Sequence, residues 1–327
     1  MIKHMKIEAF KSFDTAEFDF KPLSLLAGVN SSGKSTVIQA IRILEKGHLL
    51  DGYGQLKEVK SRYSDKKFSI HLTDSNNKNF TIRENDKNEL EYYKGGDFPK
   101  ILYISAERFG PKLLLNLTNT ELIGSRGENV IKFIQENRDE IINNEFKAFN
   151  SEGNTLKMNL DAYLSEMSFK LTIDPQLIEK TDSSYALVNN FRSINVGFGI
   201  SYILPILASL LYVAVDKNKD IILMLENPEA HIHPRGQCII AELIAKLTNK
   251  GRHIIVETHS DHFMDKILEM IREGKISKTN IGIFFFSKSS SFSKKEDISI
   301  TDSGRIEYHP DGFFREFANM PSPANNI

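Results

Sequence analysis

Nine residues near the start of the chain, GVNSSGKST at positions 28–36, constrain the fold more than any other segment. They match the pattern G-x-x-x-x-G-K-[ST] at every fixed position. The apolar run Leu23–Ala27 before them predicts a buried strand, and Val37–Leu44 after them has helical periodicity. A strand, a glycine-rich turn and a helix in this order form a loop whose backbone amides surround a phosphate at the positive end of the helix.

The residues of this phosphate loop have separate predicted roles. Gly28 and Gly33 permit backbone conformations that a side chain forbids. Lys34 is predicted to reach the β- and γ-phosphates of a nucleoside triphosphate, and Ser35 to hold Mg²⁺. The nucleotide-binding residues predicted within the loop are Asn30, Ser31, Ser32, Gly33, Lys34, Ser35 and Thr36.

Composition limits the class of protein. The 327 residues suffice for one large or two modest domains with an ample core. Lys and Arg number 42 against 43 Asp and Glu, so the net charge of −1 is unlike that of a strongly basic nucleic-acid binder. The single cysteine, Cys238, excludes an internal disulfide and a cysteine-rich zinc site. We expect a cytoplasmic protein with no signal peptide, no membrane span and no membrane partner.

A second segment supplies an acid for the metal. Ile221–Leu225 predicts a buried strand that ends in the carboxylate of Glu226. This is a Walker B arrangement with Glu in the usual Asp position, and Glu226 together with Ser35 is predicted to hold Mg²⁺. The alternative is an acidic residue at an ordinary strand end.

The residue that follows bears on hydrolysis. Many ATPases place a second acid there to deprotonate the attacking water, but this chain has Asn227. An amide orients water without accepting its proton, so slow turnover is expected. Glu229 is the nearest spare carboxylate and a candidate substitute base.

Three weaker signals accompany these motifs. The polar, glycine-rich entry Asn195–Ser201 suits an anion at a helix N-terminus, although many helix entries contain glycine. His259, at the end of another predicted strand, could hydrogen-bond a γ-phosphate or serve packing. Residues 57–67 contain several lysines and an arginine. This basic segment indicates either a solvated loop or a contact with nucleic acid or a partner.

Strands and helices alternate after residue 195, which predicts an α/β fold with a mainly parallel sheet. Residues 120–168 have mostly helical spacing. A Ser/Lys-rich turn is predicted at 287–295, followed by a final hairpin at 297–308.

Taken together, the motifs resemble the ABC-type ATPase heads of the RecF, SMC and OLD (overcoming lysogenization defect) class. The order of phosphate loop, glycine-containing signature, Walker B, D-loop and switch histidine matches over nearly the whole chain. The matching blocks are IEAFKSF at 7–13, SAERFGP at 105–111, GSRGE at 124–128, ENPEAHIHP at 226–234 and ETHS at 257–260. The nearest resemblance is to small stand-alone OLD-like ATPases of bacterial antiphage systems.

The resemblance implies that ATP and Mg²⁺ are the cofactors and that ATP is held between two protomers. Asn195, Gly197, Gly199 and Ser201 would close over the γ-phosphate held by the partner, and Lys11 of the N-terminal block would contact the nucleotide. The catalytic set would be Glu226, Asn227, Glu229 and His259. A homodimer or a higher even-numbered oligomer follows from this geometry.

A single ABC-type domain over 1–327 is expected, in three parts. Residues 1–112 form a β lobe with the phosphate loop, 113–192 an inserted, mainly helical lobe, and 193–327 the lobe with signature, Walker B and switch histidine. The interval before the signature lacks the heptads of SMC coiled coils, and no paired-metal nuclease pattern follows His259.

Three functions remain open. The first is an ATPase subunit of an antiphage system that controls a separate nuclease or toxin. The second is a RecF-like protein whose ATP-dependent engagement places it on DNA, although the near-zero net charge weighs against strong binding. The third is a nearly non-hydrolysing ATP-binding scaffold, which the amide of Asn227 favours.

Overall fold

The computed structural model describes residues 1–118, 122–167, 171–192, 198–289 and 291–313, apart from the side chains of Glu179 and Phe198. Its strands are β1 (Ile2–Phe10), β2 (Phe13–Asp19), β3 (Leu23–Gly28), β4 (Ser69–Asp74), β5 (Asn79–Glu84), β6 (Leu90–Lys94), β7 (Ile101–Ile104), β8 (Leu115–Asn116), β9 (Ile173–Ile178), β10 (Ser183–Val188), β11 (Phe191–Arg192), β12 (Ile222–Glu226), β13 (His253–Glu257), β14 (Ile281–Lys288) and β15 (Ser293–Ile298). Its α-helices are α1 (Lys34–Lys46), α2 (Leu56–Val59), α3 (Val130–Asn137), α4 (Leu156–Glu166), α5 (Phe198–Ala214), α6 (Pro234–Asn249) and α7 (Asp261–Arg272).

The central sheet has the strand order β15-β14-β3-β13-β12-β7. All neighbours in it are parallel except β15, which pairs antiparallel with β14. Both faces are buried, as the apolar runs of β3, β12 and β13 predict. The predicted α/β fold with a mainly parallel core sheet is therefore confirmed.

The two faces of the central sheet contribute to two separate cores. Alternate residues of a strand point to opposite faces. Thus Leu223 and Leu225 of β12 pack with α5, α6 and α7, whereas Ile222 and Met224 pack with α1 and the N-terminal strands. The register of β12 and β13 pairs Glu226 with Glu257, so two carboxylates end adjacent strands at the same edge.

The N-terminal β lobe is an antiparallel sheet in the order β2-β1-β4-β5-β6. Its inner face carries phenylalanines that pack edge-to-face, including Phe10 against Phe68 with ring centroids 5.6 Å apart. Helix α1 packs between this lobe and the central sheet, so the phosphate loop that begins it is held from both sides.

Two expectations for the connecting segments need correction. The 113–192 segment contains α3 and α4, but β8, β9, β10 and β11 also form an antiparallel sheet there, which the helical spacing at 120–168 does not predict. The prediction of a Ser/Lys-rich turn at 287–295 and a hairpin at 297–308 is wrong, because β15 already begins at Ser293 and pairs with β14. Within 297–308, where a hairpin was predicted, the structure has an isolated antiparallel bridge between Ile300 and Ile306. Within the described ranges, no helix has the length and apolar character that crossing a bilayer requires.

Candidate nucleotide-binding site

The phosphate loop has a backbone that requires its two glycines. Gly28 has φ +138°, and a Cβ there would lie 2.1 Å from the carbonyl oxygen of Phe286 on β14. Gly33 has φ +107°, and its Cβ would lie 2.8 Å from the ring of Phe13. Since these positions exclude side chains, the loop amides are open on the concave side, where an anion fits.

Lys34 is folded into this loop. Its side chain is almost completely buried, and its Nζ donates to the carbonyl oxygens of Gly28, at 3.0 Å, and Val29, at 2.7 Å. Burial lowers the pKa of Lys34, and the nearby Glu257 carboxylate opposes that shift. The ammonium group therefore lies against the carbonyl oxygens at the start of the loop.

The other loop residues differ in their exposure to solvent. Ser32 is fully buried and its hydroxyl donates to the carbonyl of Val29 at 2.8 Å, which holds the turn closed. Asn30 and Ser31 are exposed, and Ser31 has φ +59°. Thr36 is buried on α1, with its amide bonded to the carbonyl of Gly33 at 3.1 Å.

Ser35 contacts an acid that the sequence motifs do not assign to it. Its Oγ donates to Oε1 of Glu257 at 3.0 Å. Glu257 ends β13, the strand between β3 and β12, and is 5% exposed. Burial, followed by the neighbouring charge of Glu226, raises the pKa of Glu257 to about 7. Its Oε2 is buried without a hydrogen-bond partner.

Glu226, the predicted metal acid, is engaged elsewhere. Its Oε1 accepts from the hydroxyl of Tyr103 at 3.0 Å, and its Oε2 accepts from the amide of Ala106 at 3.1 Å. Burial raises the pKa of Glu226, and these two donors oppose that shift. In the structure, Ser35 therefore hydrogen-bonds to Glu257. Glu226 is held instead by Tyr103 of β7 and by Ala106 in the loop after β7.

Arg108 clamps the end of β12. Its guanidinium donates to the carbonyl oxygens of Ser105 at 2.8 Å, Glu226 at 2.8 Å and Asn227 at 2.7 Å. Asn227 has φ +44°, a conformation that asparagine tolerates better than most residues, and its Oδ1 is buried without a hydrogen-bond partner. These contacts hold the backbone at Asn227, the position where many ATPases carry an acid.

Glu229, in the segment after β12, is hydrogen-bonded to the segment after β13, which contains His259. Its Oε1 accepts from the backbone amide of His259 at 2.6 Å, while its Oε2 is buried without a partner. Burial raises the pKa of Glu229. Burial also lowers the pKa of His259, with a further contribution from the positive charge of Lys34. The four predicted catalytic residues therefore lie at one edge of the central sheet, beside the phosphate loop.

Lys11 lies at the end of the first β-hairpin, against α1. Its Nζ donates to Oε1 of Gln39 at 2.6 Å and lies 4.1 Å from the centre of the Tyr53 ring. Burial lowers the pKa of Lys11. Burial, followed by the neighbouring charge of Glu226, raises the pKa of Tyr53 to about 12.

The site fits a magnesium nucleotide in its donor chemistry. Mg²⁺ bound to a nucleotide takes only one or two protein oxygens and completes its shell with phosphates and waters. Ser35 Oγ and the unpartnered Oε2 of Glu257 are such oxygens. Among the described residues, no group of three or more His, Cys, Asp and Glu side chains is placed to hold a metal alone.

Known proteins resemble the chain in both sequence and structure. Residues 23–265 match the family described as "AAA domain, putative AbiEii toxin, Type IV TA system". The chain belongs to this AAA-domain family. Residues 276–320 also match a family described only as a protein of unknown function, DUF3696. No curated protein matches the sequence.

Solved structures with the same fold as this AAA-domain protein are heads of SMC and RecF proteins. An SMC head bound to the C-terminal winged-helix domain of ScpA aligns with TM-score 0.61 and 15% identity over 92% of this chain and 98% of that one. The SMC head of Thermotoga maritima gives TM-score 0.53 and 12% identity, over 91% and 99%. The recombination mediator protein RecF gives 0.50 and 12%, over 90% and 98%. The predicted fold, that of an ABC-type ATPase head like those of SMC and RecF proteins, is thereby confirmed.

The predicted signature lies partly outside the described residues. Asn195 and Gly197 fall in the 193–197 gap, while Gly199 and Ser201 lie in the first turn of α5. In the next position, the ring of Tyr202 packs against that of His231 in the segment after β12, with ring centroids 4.3 Å apart and ring planes inclined by 50°. The start of α5 therefore contacts the segment that follows Glu226.

The basic segment at 57–67 is largely neutralised by acids of the same chain. Lys60 pairs with Glu84 at 2.7 Å, Lys66 pairs with Asp14 at 2.7 Å, and Lys67 pairs with Asp86. Lysines in such ion pairs attract the phosphates of a nucleic acid less strongly, because their charge is already compensated.

Two contributors were missed by motif matching. Glu257 ends an apolar run, His253–Val256, just as Glu226 ends another, so the reasoning applied to Walker B would have found it. Arg108 stands in a block that the resemblance includes, but its role depends on contacts with residues about 120 positions away. Only the folded chain reveals that role.

Proposed function

We propose that this chain binds and slowly hydrolyses ATP as a subunit of a bacterial antiphage system, and that two copies close around ATP to control a separate nuclease or toxin. The observation that carries the proposal is the convergence of the glycine-shaped phosphate loop with Lys34, Glu226, Glu257 and His259 at one edge of the central sheet. Family membership supports both the nucleotide chemistry and the toxin-related setting.

ATP would be held by the loop amides and by Lys34, whose ammonium would exchange the carbonyls of Gly28 and Val29 for phosphate oxygens. Lys11, whose Nζ lies 4.1 Å from the centre of the Tyr53 ring, would contact the remainder of the nucleotide. Ser35 would supply a hydroxyl ligand to Mg²⁺, which neutralises phosphate charge when bound.

Hydrolysis requires a group that orients and deprotonates water. Asn227 would orient water and His259 would hydrogen-bond a γ-phosphate, but an amide does not accept the proton of that water. One carboxylate oxygen of Glu229 already accepts a hydrogen bond from the backbone amide of His259. These assignments favour slow turnover, and a nearly non-hydrolysing scaffold is the alternative that the amide of Asn227 supports.

Dimerisation follows from the position of the signature. Gly199 and Ser201 at the N-terminus of α5, together with Asn195 and Gly197 before it, would face the phosphate loop of a partner. ATP then favours the closed dimer because it binds both halves of a composite site, and its loss reopens the dimer. A twofold arrangement gives two equivalent sites, so dimers or higher even-numbered oligomers are expected.

A separate effector is proposed on the family's toxin-related description. The SMC head in one solved structure is bound to a domain of ScpA, which illustrates a head of this fold with a separate partner. A RecF-like contact with DNA is the second candidate, on the fold likeness to RecF. The ion pairs of Lys60, Lys66 and Lys67 weigh against it.

Mass measurement by light scattering tests this proposal. Wild-type protein with ATP and Mg²⁺ should shift from monomer to dimer, and a protein from the adjacent gene should co-migrate with it. Lys34→Ala should abolish the ATP-dependent shift, whereas Lys46→Ala, at the exposed end of the same helix, should retain it. An unchanged shift in Lys34→Ala would contradict the proposal.

A further inference from the structure

The second acid at the phosphate loop, Glu257, is placed by backbone contacts on both sides. The amide of Asn227 donates to the carbonyl of Glu257 at 2.8 Å, and the amide of Thr258 donates to the carbonyl of Leu26 at 3.1 Å. β13 therefore cannot shift along β3 or β12 without breaking ladder bonds. Glu257 is fixed next to the strand that leads into the loop.

The side chain of Glu257 is oriented by Ser35. The Ser35 hydroxyl has one proton, and it donates that proton to Oε1 of Glu257 at 3.0 Å. The hydroxyl oxygen keeps two lone pairs, which can bind a cation. A carboxylate that accepts from a metal-binding hydroxyl both orients it and increases its donor strength.

The other oxygen of Glu257 has no partner in the protein. Oε2 is buried, and leaving a buried carboxylate oxygen unpaired is costly unless a cation or a water compensates. In contrast, both oxygens of Glu226 accept hydrogen bonds, from Tyr103 and from Ala106. The carboxylate available to a cation beside Ser35 is therefore that of Glu257.

From these contacts, we propose that Glu257 is the protein carboxylate that acts with Ser35 at the magnesium of bound nucleotide, and that Glu226 is a positioning residue held by Tyr103 and Ala106. This inference rests on the proposed function, because it presupposes that the loop binds magnesium nucleotide. It moves the metal-facing acid from the Walker B strand to the neighbouring strand.

The test measures how strongly Mg²⁺ and ATP assist each other's binding. The affinity of a fluorescent ATP analogue is determined with excess Mg²⁺ and with EDTA, and the ratio of the two affinities is the coupling. Glu257→Gln keeps the shape and removes the charge, so it should reduce the coupling at least about tenfold. Glu226→Gln should reduce it by less than about threefold. Glu17→Gln, at an exposed position on β2, is the matched control and should match the wild type.

The outcomes separate this inference from the proposed function. If the wild type binds no nucleotide, or binds it equally well in EDTA, the proposed function fails. If the wild type shows the coupling and Glu257→Gln retains it while Glu226→Gln loses it, the assignment of Glu257 is overturned and the proposed function stands.

A second measurement does not depend on the folding of a variant. Crystals of the wild type with a non-hydrolysable ATP analogue and Mn²⁺ locate the ion by its anomalous scattering. The ion should lie nearer to the Glu257 carboxylate than to that of Glu226. An ion nearer to Glu226 would overturn the inference.

Discussion

The hydroxyl of Ser35 donates a hydrogen bond to the carboxylate of Glu257 at 3.0 Å, across 222 positions of the chain. This contact ties the first helical turn after the phosphate loop to the strand beside it. Because β13 lies between β3 and β12, the site is built from three adjacent strands, and its chemistry depends on the backbone that aligns them.

Gly28→Ala should be among the most damaging single-methyl changes in the chain. The new Cβ would lie 2.1 Å from the carbonyl oxygen of Phe286 and would require an unfavourable φ of +138°. We expect a loss of more than about 2 kcal/mol in the free energy of unfolding, measured with urea. Gly52→Ala, at φ +82° with open space around it, should cost only about 1 kcal/mol. Equal losses at the two positions would show that the close approach to β14 is not important.

Asn227→Asp should increase ATP turnover. Aspartate tolerates the left-handed backbone at φ +44° nearly as well as asparagine, and it adds a proton acceptor where many ATPases have one. A tenfold or larger rise in kcat, roughly, is expected from a positioned general base. Asn88→Asp, at φ +62° in the turn before β6, is the matched control and should have no effect. Unchanged turnover in Asn227→Asp would mean that the amide does not limit hydrolysis.

Arg108→Lys should destabilise the end of β12 despite keeping the charge. A lysine cannot reach the carbonyls of Ser105, Glu226 and Asn227 with one planar group. We expect a loss of about 2 kcal/mol in the free energy of unfolding and reduced nucleotide turnover. Arg83→Lys, in an exposed pair with Glu91 at 3.3 Å, should change the unfolding free energy by less than about 0.5 kcal/mol. A mild Arg108→Lys phenotype, equal to that control, would show that the clamp is dispensable.

His253 should make the protein less stable in mild acid. It is 2% exposed at the start of β13, both ring nitrogens lack hydrogen-bond partners, and burial lowers its pKa to about 3. The folded-state pKa is depressed, so the unfolded chain takes up the proton first, and stability is lost as pH falls below about 6.5. Between pH 7 and pH 5 this group should account for a loss of about 2 kcal/mol.

His253→Leu should remove that share of the pH dependence, as urea unfolding at both pH values would show. His48→Leu, at an exposed position after α1, is the control and should leave the pH dependence as in the wild type. If His253→Leu loses as much stability between pH 7 and pH 5 as the wild type, another group is responsible.

Much of the site was predictable because its motifs are contiguous. The phosphate loop, the acid of Glu226 and the amide of Asn227 are each recognised from neighbouring residues and from the elements that flank them. The bond between Ser35 and Glu257 was not predictable, since it depends on which strands become neighbours in the sheet. The same limit applies to Arg108, two of whose three acceptors lie at the end of β12 and just after it.

The predicted secondary structure was wrong in two local segments, whereas the predicted fold class was confirmed. β15 begins with Ser293, Lys294 and Lys295 at the end of a Ser/Lys-rich segment, which suggests a turn, yet it forms an edge strand of the central sheet. Lysines such as Lys294 are common on edge strands, where they discourage pairing with other chains. In the 113–192 segment, short strands such as Leu115–Asn116 and Phe191–Arg192 are too brief to give a period-two pattern.

The most direct test of the composite site uses two differently disabled protomers. Lys34→Ala removes the phosphate-loop lysine but leaves the signature intact, and Ser201→Glu places a carboxylate at the start of α5, where it would repel the partner's γ-phosphate. Energy transfer between donor- and acceptor-labelled protomers is then measured with ATP and Mg²⁺. A mixture of the two variants should show ATP-dependent energy transfer, because one intact site forms in each mixed dimer, while either variant labelled with both dyes should show none. Absence of transfer in the mixture, with robust ATP-dependent transfer in the wild type, would contradict the claim that each copy contributes half of the nucleotide site.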